Sequence, residues 1–143
     1  MIAIDTNILV YAHRRDSEFH KQAKAVLTNL AENKSSWAIP WSCIHEFMAV
    51  TTHSKIFSPP SKISEASKQV GFWLESPSLR LLKEEDDYWK VFSNLLTISK
   101  TTGAAIHDAR IAAVCLTNGV NTIYSLDRDF SRFKPLKVLN PLI

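Results

Sequence analysis

The chain has little glycine, little cysteine and no long apolar run, and each shortage excludes a class of protein. Only 3 of its 143 residues are glycine, so no glycine-rich loop is available to surround a nucleotide phosphate. The 2 cysteines form neither a disulfide framework nor the spacing of a zinc site. No apolar segment approaches the ~20 residues of a membrane span, and the first residues do not form a secretion signal. We therefore expect a reduced, cytoplasmic protein without membrane attachment.

The composition is that of one globular domain. Hydrophobic residues make up 45% of the chain and charged residues 22%, which is ordinary for such proteins. A chain of this length buries roughly 68–70% of the surface it exposes when unfolded, which suffices for one core. We expect a single domain over residues 1–143. The net charge of +3 permits an anionic partner without requiring one.

Short apolar runs alternate with helical patterns along the whole chain. The predicted strands are residues 1–4, 37–39, 79–82, 122–124 and 137–139. The predicted helices are residues 8–12, a second that Asp16 or Ser17 caps, then 41–52, 61–75, one whose acidic first turn is residues 84–87, and 106–116. This alternation predicts an α/β fold with a parallel sheet that helices cover on both faces.

Two acidic residues follow predicted strands directly. Asp5 ends the first apolar run, and Asp127 lies just past the run 122–124. The carboxyl ends of parallel strands share one edge of the sheet, where open α/β sheets bind their ligands. Each acid also has a simpler explanation, since Asp5 can cap a helix and Asp127 can form a turn.

Two more acids lie on predicted helices. Glu46 shares a helical stripe with Cys43 and Phe47, in a helix whose apolar residues cover more than one face. A buried carboxylate without a partner is strongly destabilising. Either this stripe faces solvent or Glu46 has a cation as its partner, and we favour a buried Glu46 with a cation. Asp108 begins a similar stripe, where attraction to the helix dipole also explains an acid.

Four carboxylates in one crevice repel each other. Two unit charges about 4 Å apart cost roughly 4 kcal/mol at an effective dielectric constant of about 20. Such a cluster persists when protons or a cation offset the repulsion, and oxygen ligands alone favour a hard ion such as Mg²⁺ or Mn²⁺. We therefore predict a divalent metal site at the four acids, which are Asp5, Glu46, Asp108 and Asp127.

Neighbouring residues are candidates for supporting roles. Thr6 and Asn7 can brace Asp5 or contact a phosphate, and Arg110 is a candidate phosphate contact. Asp129 lies further from the strand end than Asp127 and ranks below it as a ligand. Four tryptophans, at positions 37, 41, 73 and 89, can stack on nucleic acid bases. For most of them we expect core packing instead.

The sequence leaves two other functions open. An aspartate-based phosphatase or phosphotransferase would use Asp5 as its nucleophile. Haloacid-dehalogenase-like enzymes carry a second Asp two residues after the nucleophile, and here that position is Asn7. A non-catalytic binding module is the other alternative, in which the acids only cap helices and form turns.

Four segments together resemble the PIN-domain ribonucleases, and within them the VapC-type toxins of bacterial toxin–antitoxin systems. The segments are Ile4-Asp5-Thr6-Asn7-Ile8-Leu9, His45-Glu46-Phe47, His107-Asp108-Ala109-Arg110-Ile111-Ala112 and Ser125-Leu126-Asp127-Arg128-Asp129-Phe130. Their order and spacing cover essentially the whole chain. The resemblance implies a three-layer α/β/α domain with a central, mostly parallel, five-stranded sheet.

The resemblance also implies an activity and partners. Members cleave RNA internally with Mg²⁺ or Mn²⁺, commonly form homodimers, and are inhibited by a small antitoxin protein. On the matching positions, Asp5, Glu46, Asp108 and Asp127 become the metal-binding acids. Ser125 stands where many members carry Thr or Ser, and it would support the site by hydrogen bonding.

Overall fold

The computed structural model describes all of residues 1–143, which form five β-strands and six α-helices. The strands are β1 (Ile2–Ile4), β2 (Trp37–Pro40), β3 (Leu79–Leu82), β4 (Thr122–Tyr124) and β5 (Lys137–Leu139). The α-helices are α1 (Thr6–His13), α2 (His20–Glu32), α3 (Trp41–Thr51), α4 (Ile63–Leu74), α5 (Tyr88–Ser99) and α6 (Ile106–Thr117). Two short 3₁₀ helices cover Gly103–Ala105 and Arg128–Arg132. All five predicted strands are therefore confirmed.

The five strands form one sheet in the order β3-β2-β1-β4-β5, and every neighbouring pair is parallel. The central strand β1 pairs on both sides, with Ile2 opposite Trp37 of β2 and Thr122 of β4. Strands β1 and β2 are almost wholly apolar and buried, as expected of parallel strands covered on both faces. The predicted parallel α/β fold is confirmed.

The helices form two layers because the chain changes direction within the sheet. It runs from β1 through β2 to β3, and then returns across the sheet to β4 and β5. Right-handed crossovers place α1 to α4 on one face and α5 with α6 on the other. The contacts agree, since α1 packs on α2 and α3, α3 on α4, and α5 on α6. The chain therefore diverges between β1 and β4, which makes that point a topological switch point.

Two of the four tryptophans lie in the core and two do not. Trp37 and Trp73 are buried, and Trp73 packs edge-on against Phe47 at 4.9 Å between ring centroids. Trp41 is 39% exposed and Trp89 is 69% exposed. Both exposed rings lie in the first turn of a helix, Trp41 in α3 and Trp89 in α5. The expectation that most of the tryptophans pack in the core is therefore correct for only two of the four.

Some predicted helix starts are wrong. Asp16 and Ser17 do not cap α2, because Asp16 binds Arg14 at 2.7 Å and the Ser17 hydroxyl donates to the Arg14 carbonyl at 2.7 Å. Helix α2 begins three residues later, at His20. The acidic run 84–87 also precedes α5 instead of forming its first turn. One acid in each place has an arginine as its partner instead, Arg14 for Asp16 and Arg110 for Glu84.

None of the six α-helices combines the length and the apolar character needed to cross a bilayer. The longest, α2, has 13 residues.

Candidate functional site

Two of the predicted acids, Asp5 and Asp127, follow neighbouring strands at the switch point of the sheet. Asp5 follows β1 and is the N-cap of α1, while Ser125 and Asp127 follow the neighbouring strand β4. The Asp5 N–H donates to the Tyr124 carbonyl at 3.0 Å, which holds the two strand ends together. Helices α1 and α3 begin directly after β1 and β2, and α6 leads into β4. The N-termini of these three helices therefore lie at this edge and favour negative charge there.

Asp5 is a buried carboxylate held from two sides. It is only 7% exposed. Its Oδ1 accepts from the Thr6 N–H at 2.8 Å, and its Oδ2 accepts from the Ser125 hydroxyl at 2.6 Å. The Cys43 thiol lies 3.9 Å from Oδ1 on the side of the core. Asp5 thus caps α1, which is the simpler explanation for an acid at this position. The two hydrogen bonds also hold its carboxylate in place at the end of β1.

Ser125 joins three segments of the site. Its hydroxyl donates to Asp5 and accepts from the Asn7 side-chain amide at 3.4 Å and from the Asp127 N–H at 2.9 Å. A hydroxyl has one donor and two acceptor positions, so all three are used. Two N–H donors occupy the acceptor positions, and the hydroxyl proton must therefore point at Asp5. The family resemblance implied a hydrogen-bonding role for Ser125, and the structure shows these three hydrogen bonds.

Burial and neighbouring charges raise the pKa of Asp5 to about 6. Burial is the largest cause, and the hydrogen bonds from Ser125 and Thr6 act in the opposite direction. The negative charges of Glu46 and Asp108 raise the pKa further. Glu46 and Asp108 are therefore close enough to Asp5 for their charges to act on it.

Asp108 is affected by the same group of charges. Burial raises its pKa first, followed by the charges of Asp127, Glu46 and Asp129, while Arg132 lowers it. Acids from four separate segments, the end of β1, α3, α6 and the segment after β4, are thus near enough for their charges to act on one another. This convergence is the geometric condition on which a shared ion depends.

Glu46 is exposed, so the expectation that it is buried is wrong. Its neighbours Cys43 and Phe47 are buried in the core, but Glu46 lies on the side of α3 that faces away from the sheet. It accepts no hydrogen bond and forms no ion pair within the protein. A helix with apolar residues on several faces was read as buried all round, whereas α3 covers the sheet with one face only. The Glu46 side chain is free to rotate.

Glu46 separates two depressions on this edge. One, of about 260 Å³, lies towards α1 and is lined by Thr6, Asn7, Val10, Tyr11, Val50 and Phe57 together with Glu46. The other, of about 170 Å³, lies towards α6 and is lined by Ser42, His107, Arg110 and Ile111 together with Glu46. A larger cavity of about 560 Å³ lies at the far end of α1, beyond the reach of the acids. We place the functional site at Glu46 because the acids converge there.

The oxygen atoms of the crevice fit a hard cation, although the acidic side chains are not close enough together in this structure to coordinate one. Three buried oxygen atoms have no hydrogen-bond partner, and all three belong to this edge: Thr6 Oγ1, Asn7 Oδ1 and Ser42 Oγ. Buried polar atoms nearly always have a partner, so this edge has hydrogen-bonding capacity that waters or a polar ligand can fill. No group of three or more His, Cys, Asp or Glu side chains is close enough together here to hold a metal ion. Closing the site requires side-chain rotation, which the free Glu46 allows.

The other candidate residues occupy different positions. Arg110 is paired with Glu84, with its Nη2 2.9 Å and its Nε 3.0 Å from Glu84 Oε1. Asp129 is exposed and lies 3.8 Å from Arg132. Ser42 was missed as a site residue in the sequence. The signal was present, because Ser42 stands four residues before Glu46 and therefore shares its helix face.

The raised pKa of Asp5 predicts how the stability of the metal-free protein depends on pH. The folded pKa of about 6 lies above the ordinary value of 3.8, so the folded state takes up this proton more readily. Asp5 therefore stabilises the fold at low pH, and that contribution is lost as pH rises through about 6. Between pH 7 and pH 5 we expect a gain of about 1 kcal/mol from Asp5. Denaturant unfolding in EDTA at both pH values measures this gain.

The matched control is Asp5→Asn, which cannot titrate. We expect the wild-type protein to gain more stability than this variant on acidification. Equal gains in the two proteins would mean that Asp5 titrates normally, and the described burial of its charge would be wrong.

Comparison with known proteins identifies the family of this chain and supports its fold. The family model described as PIN domain matches residues 2–135. Ribonuclease VapC43 of Mycobacterium tuberculosis is 33% identical over 142 residues, which cover 99% of this chain and 96% of the relative. The solved structure of VapBC2 from Rickettsia felis, bound to a promoter DNA fragment, superposes with a TM-score of 0.70 at 20% identity, covering 98% of both chains.

A second solved structure has the same fold. VapC20 of Mycobacterium tuberculosis, described as a Sarcin-Ricin loop cleaving toxin, superposes with a TM-score of 0.68 at 17% identity, covering 92% of this chain and 93% of that one. At these identities the two structures establish the fold alone. The family follows from the matching family model and from the 33% identity to VapC43. The chain belongs to the PIN domain family and, within it, to the VapC-type proteins.

Proposed function

We propose that this protein is a Mg²⁺-dependent endoribonuclease and the toxin of a toxin–antitoxin pair, with Mn²⁺ as an alternative ion. The observation that carries the proposal is the buried Asp5, whose pKa is raised in part by the charges of Glu46 and Asp108. Acids that repel each other across one crevice call for a cation. The proposed RNA-cleaving activity is supported by relatives that are named VapC ribonucleases.

The residues of the crevice have separate tasks in this proposal. Asp5, Glu46, Asp108 and Asp127 would hold the ion. When bound, a divalent ion supplies a water of lowered pKa as the nucleophile and offsets charge on the phosphate oxygens. Ser125 keeps Asp5 oriented through the 2.6 Å hydrogen bond. The N-termini of α1, α3 and α6 provide a positive potential that favours the RNA phosphate at this edge.

The residue at position 7 disfavours the phosphotransferase alternative. Haloacid-dehalogenase-like enzymes carry a second Asp two residues after the nucleophile. Here that residue is Asn7, whose side-chain amide donates to the Ser125 hydroxyl at 3.4 Å. A phosphorylated Asp5 trapped by rapid quenching would select this alternative.

The binding-module alternative accounts for only part of the site. Capping explains Asp5, which accepts from the Thr6 N–H, and a turn explains Asp127, which accepts from the Asp129 N–H at 2.9 Å. Neither role explains the partnerless oxygens of Thr6, Asn7 and Ser42. A bound ion with its waters accounts for these atoms as well.

The partners follow from the family. The neighbouring structure of VapBC2 is described with the promoter of the pair, which supports an antitoxin partner for this chain. We also propose that residues 1–143 act as a single nuclease domain and that two copies form a homodimer. Sedimentation of the purified protein, alone and with the product of an adjacent gene, measures both associations.

The direct test is incubation of the purified protein with total RNA and Mg²⁺. We expect discrete fragments without 2′,3′-cyclic phosphate ends, because water and not the neighbouring 2′-hydroxyl attacks the phosphorus. Enzymatic end-labelling identifies the ends. Cyclic phosphate ends would contradict the proposed hydrolysis, and intact RNA under all conditions would contradict the nuclease function.

A further inference from the structure

The depression between α3 and α6 adjoins the proposed metal site and shares Glu46 with it. Its volume is about 170 Å³, and it lies on the side of Glu46 away from α1. The Ser42 hydroxyl on the α3 side is buried and has no hydrogen-bond partner within the protein. His107 and Arg110 supply nitrogen donors from α6. The depression therefore offers hydrogen-bonding groups beside one of the four acids.

Arg110 is paired with Glu84 beside the depression. Glu84 holds two of its nitrogens, at 2.9 Å and 3.0 Å from one carboxylate oxygen, and the Arg110 side chain is 44% exposed. A guanidinium group has five N–H donors in a fixed plane. Those that Glu84 leaves unused remain available to a ligand in the depression. A fixed, partly exposed guanidinium is well suited to contact a phosphate.

An exposed aromatic pair, Trp41 and His45, which we call the aromatic lip, lies on α3 beside Ser42 and Glu46, two of the residues that line this depression. The rings of Trp41 and His45 are stacked, with centroids 6.2 Å apart and planes 28° apart. Trp41 and His45 share one stripe of α3, and Ser42 and Glu46 share the next stripe towards the depression. Trp41 is 39% exposed although it is large and apolar. The lip thus presents an aromatic surface beside a polar pocket.

The strand register places this lip close to Asp5. Ala3 of β1 is paired with Ala38 of β2, so Asp5 lies level with Pro40, and Trp41 follows at the same edge. Neighbouring strands are about 4.8 Å apart. The aromatic lip is therefore within the reach of a nucleotide whose phosphate lies at the acids.

We propose that this depression and its Trp41–His45 lip bind the nucleotide next to the scissile phosphate of a single-stranded RNA. The base stacks on Trp41, and the far phosphate of that nucleotide contacts Arg110. Single-stranded RNA is recognised by stacking on aromatic rings and by arginine. The inference rests on the proposed ribonuclease function and adds the residues that position the substrate. A polar lining with a partnerless hydroxyl favours a nucleotide over an apolar protein surface.

The first experiment measures RNA binding without cleavage. The affinity of a fluorescently labelled, single-stranded RNA of seven nucleotides is measured by anisotropy in EDTA. We expect Trp41→Ala to weaken binding about tenfold and Trp41→Phe to retain most of it. Phe72→Ala is the matched control, since Phe72 is an aromatic residue of α4 that is 57% exposed and lies outside the crevice.

The second experiment identifies the base that Trp41 contacts. Each base of the RNA is removed in turn, and binding is measured for the wild-type protein and for Trp41→Ala. At one position we expect loss of the base to weaken wild-type binding about tenfold and to leave the variant unchanged. Equal losses in both proteins at every position would overturn the stacking contact.

Arg110 is tested through the salt dependence of binding. We expect Arg110→Gln to make the plot of log affinity against log salt shallower by about 0.7, the value for one phosphate contact with a single strand. Arg80→Gln, at an exposed position of β3, is the control that leaves the slope unchanged. An unchanged slope in Arg110→Gln would overturn the phosphate contact.

The outcomes distinguish failure of the proposed subsite from failure of the proposed ribonuclease function. If the wild-type protein cleaves RNA with Mg²⁺ while Trp41→Ala binds RNA as tightly as Phe72→Ala, the proposed subsite is wrong and the proposed nuclease function is supported. If Trp41→Ala changes the oligomeric state by sedimentation and RNA affinity is unaffected, Trp41 covers a protein interface and the proposal is wrong. If the wild-type protein neither binds nor cleaves RNA, both the subsite and the ribonuclease function are wrong.

Discussion

Replacement of Asp5 by Asn is expected to abolish RNA cleavage and to leave the fold intact. The loss should exceed the roughly 100-fold that removal of a residue behind the metal ligands costs, because Asp5 is the most buried of the four acids. Asn is as good an N-cap as Asp and can accept the Thr6 N–H in the same place. The change also removes a buried charge whose pKa is raised to about 6. The metal-free variant should therefore be as stable as the wild-type protein or slightly more stable.

The matched control for this prediction is Asp86→Asn. Asp86 is an exposed acid of the run before α5 and contacts none of the site residues. Cleavage of total RNA and thermal unfolding are measured for both variants. We expect wild-type cleavage from Asp86→Asn and none from Asp5→Asn. Wild-type cleavage by a folded Asp5→Asn would eliminate Asp5 as a ligand.

Removal of divalent metal is the second change with a large expected effect. Cleavage should stop in EDTA and return on addition of excess Mg²⁺ or Mn²⁺, because the acids themselves supply no nucleophile. Metal binding should also stabilise the folded state, since the unfolded chain does not bring the four segments together. At a Mg²⁺ concentration 100 times the dissociation constant, the gain is about 2.7 kcal/mol. Thermal unfolding with and without Mg²⁺ measures this gain independently of any RNA.

Comparison with Asp5→Asn shows whether the stabilisation arises at the proposed site. We expect Mg²⁺ to stabilise the wild-type protein and to have little effect on the variant. A wild-type protein that Mg²⁺ does not stabilise would favour the binding-module alternative. Full cleavage in EDTA would show that the reaction does not depend on a divalent metal.

The sequence predicted the sheet and the position of two acids for the same reason. Apolar runs of three or four residues that alternate with helical patterns indicate buried parallel strands, and the ends of such strands must share an edge. Asp5 and Asp127 follow two strands that turn out to be neighbours, β1 and β4. The hydrogen bonds through Ser125 depend on that neighbourhood. The strand order could not be read from the apolar runs, but the shared edge could.

The sequence was less informative about helix faces. Glu46 shares a helical stripe with Cys43 and Phe47 and was expected to be buried, but it is exposed. Core packing was expected for most of the tryptophans, but Trp41 and Trp89 are exposed. Periodicity identifies residues that share a face, but it does not show which positions of that face the fold covers. The partner of Arg110 could not be predicted either, because Glu84 lies 26 residues earlier in the sequence and contacts Arg110 only in the folded protein. Pairings of this kind depend on how α5 and α6 pack together.

The most direct test of the account is anomalous diffraction from crystals grown with Mn²⁺. The account predicts a strong anomalous peak at the carboxyl edge of the sheet, with an Asp5 oxygen about 2.1 Å away and Glu46 rotated towards Asp108 and Asp127. A peak elsewhere on the molecule, or none beside Asp5 at a saturating Mn²⁺ concentration, would contradict it.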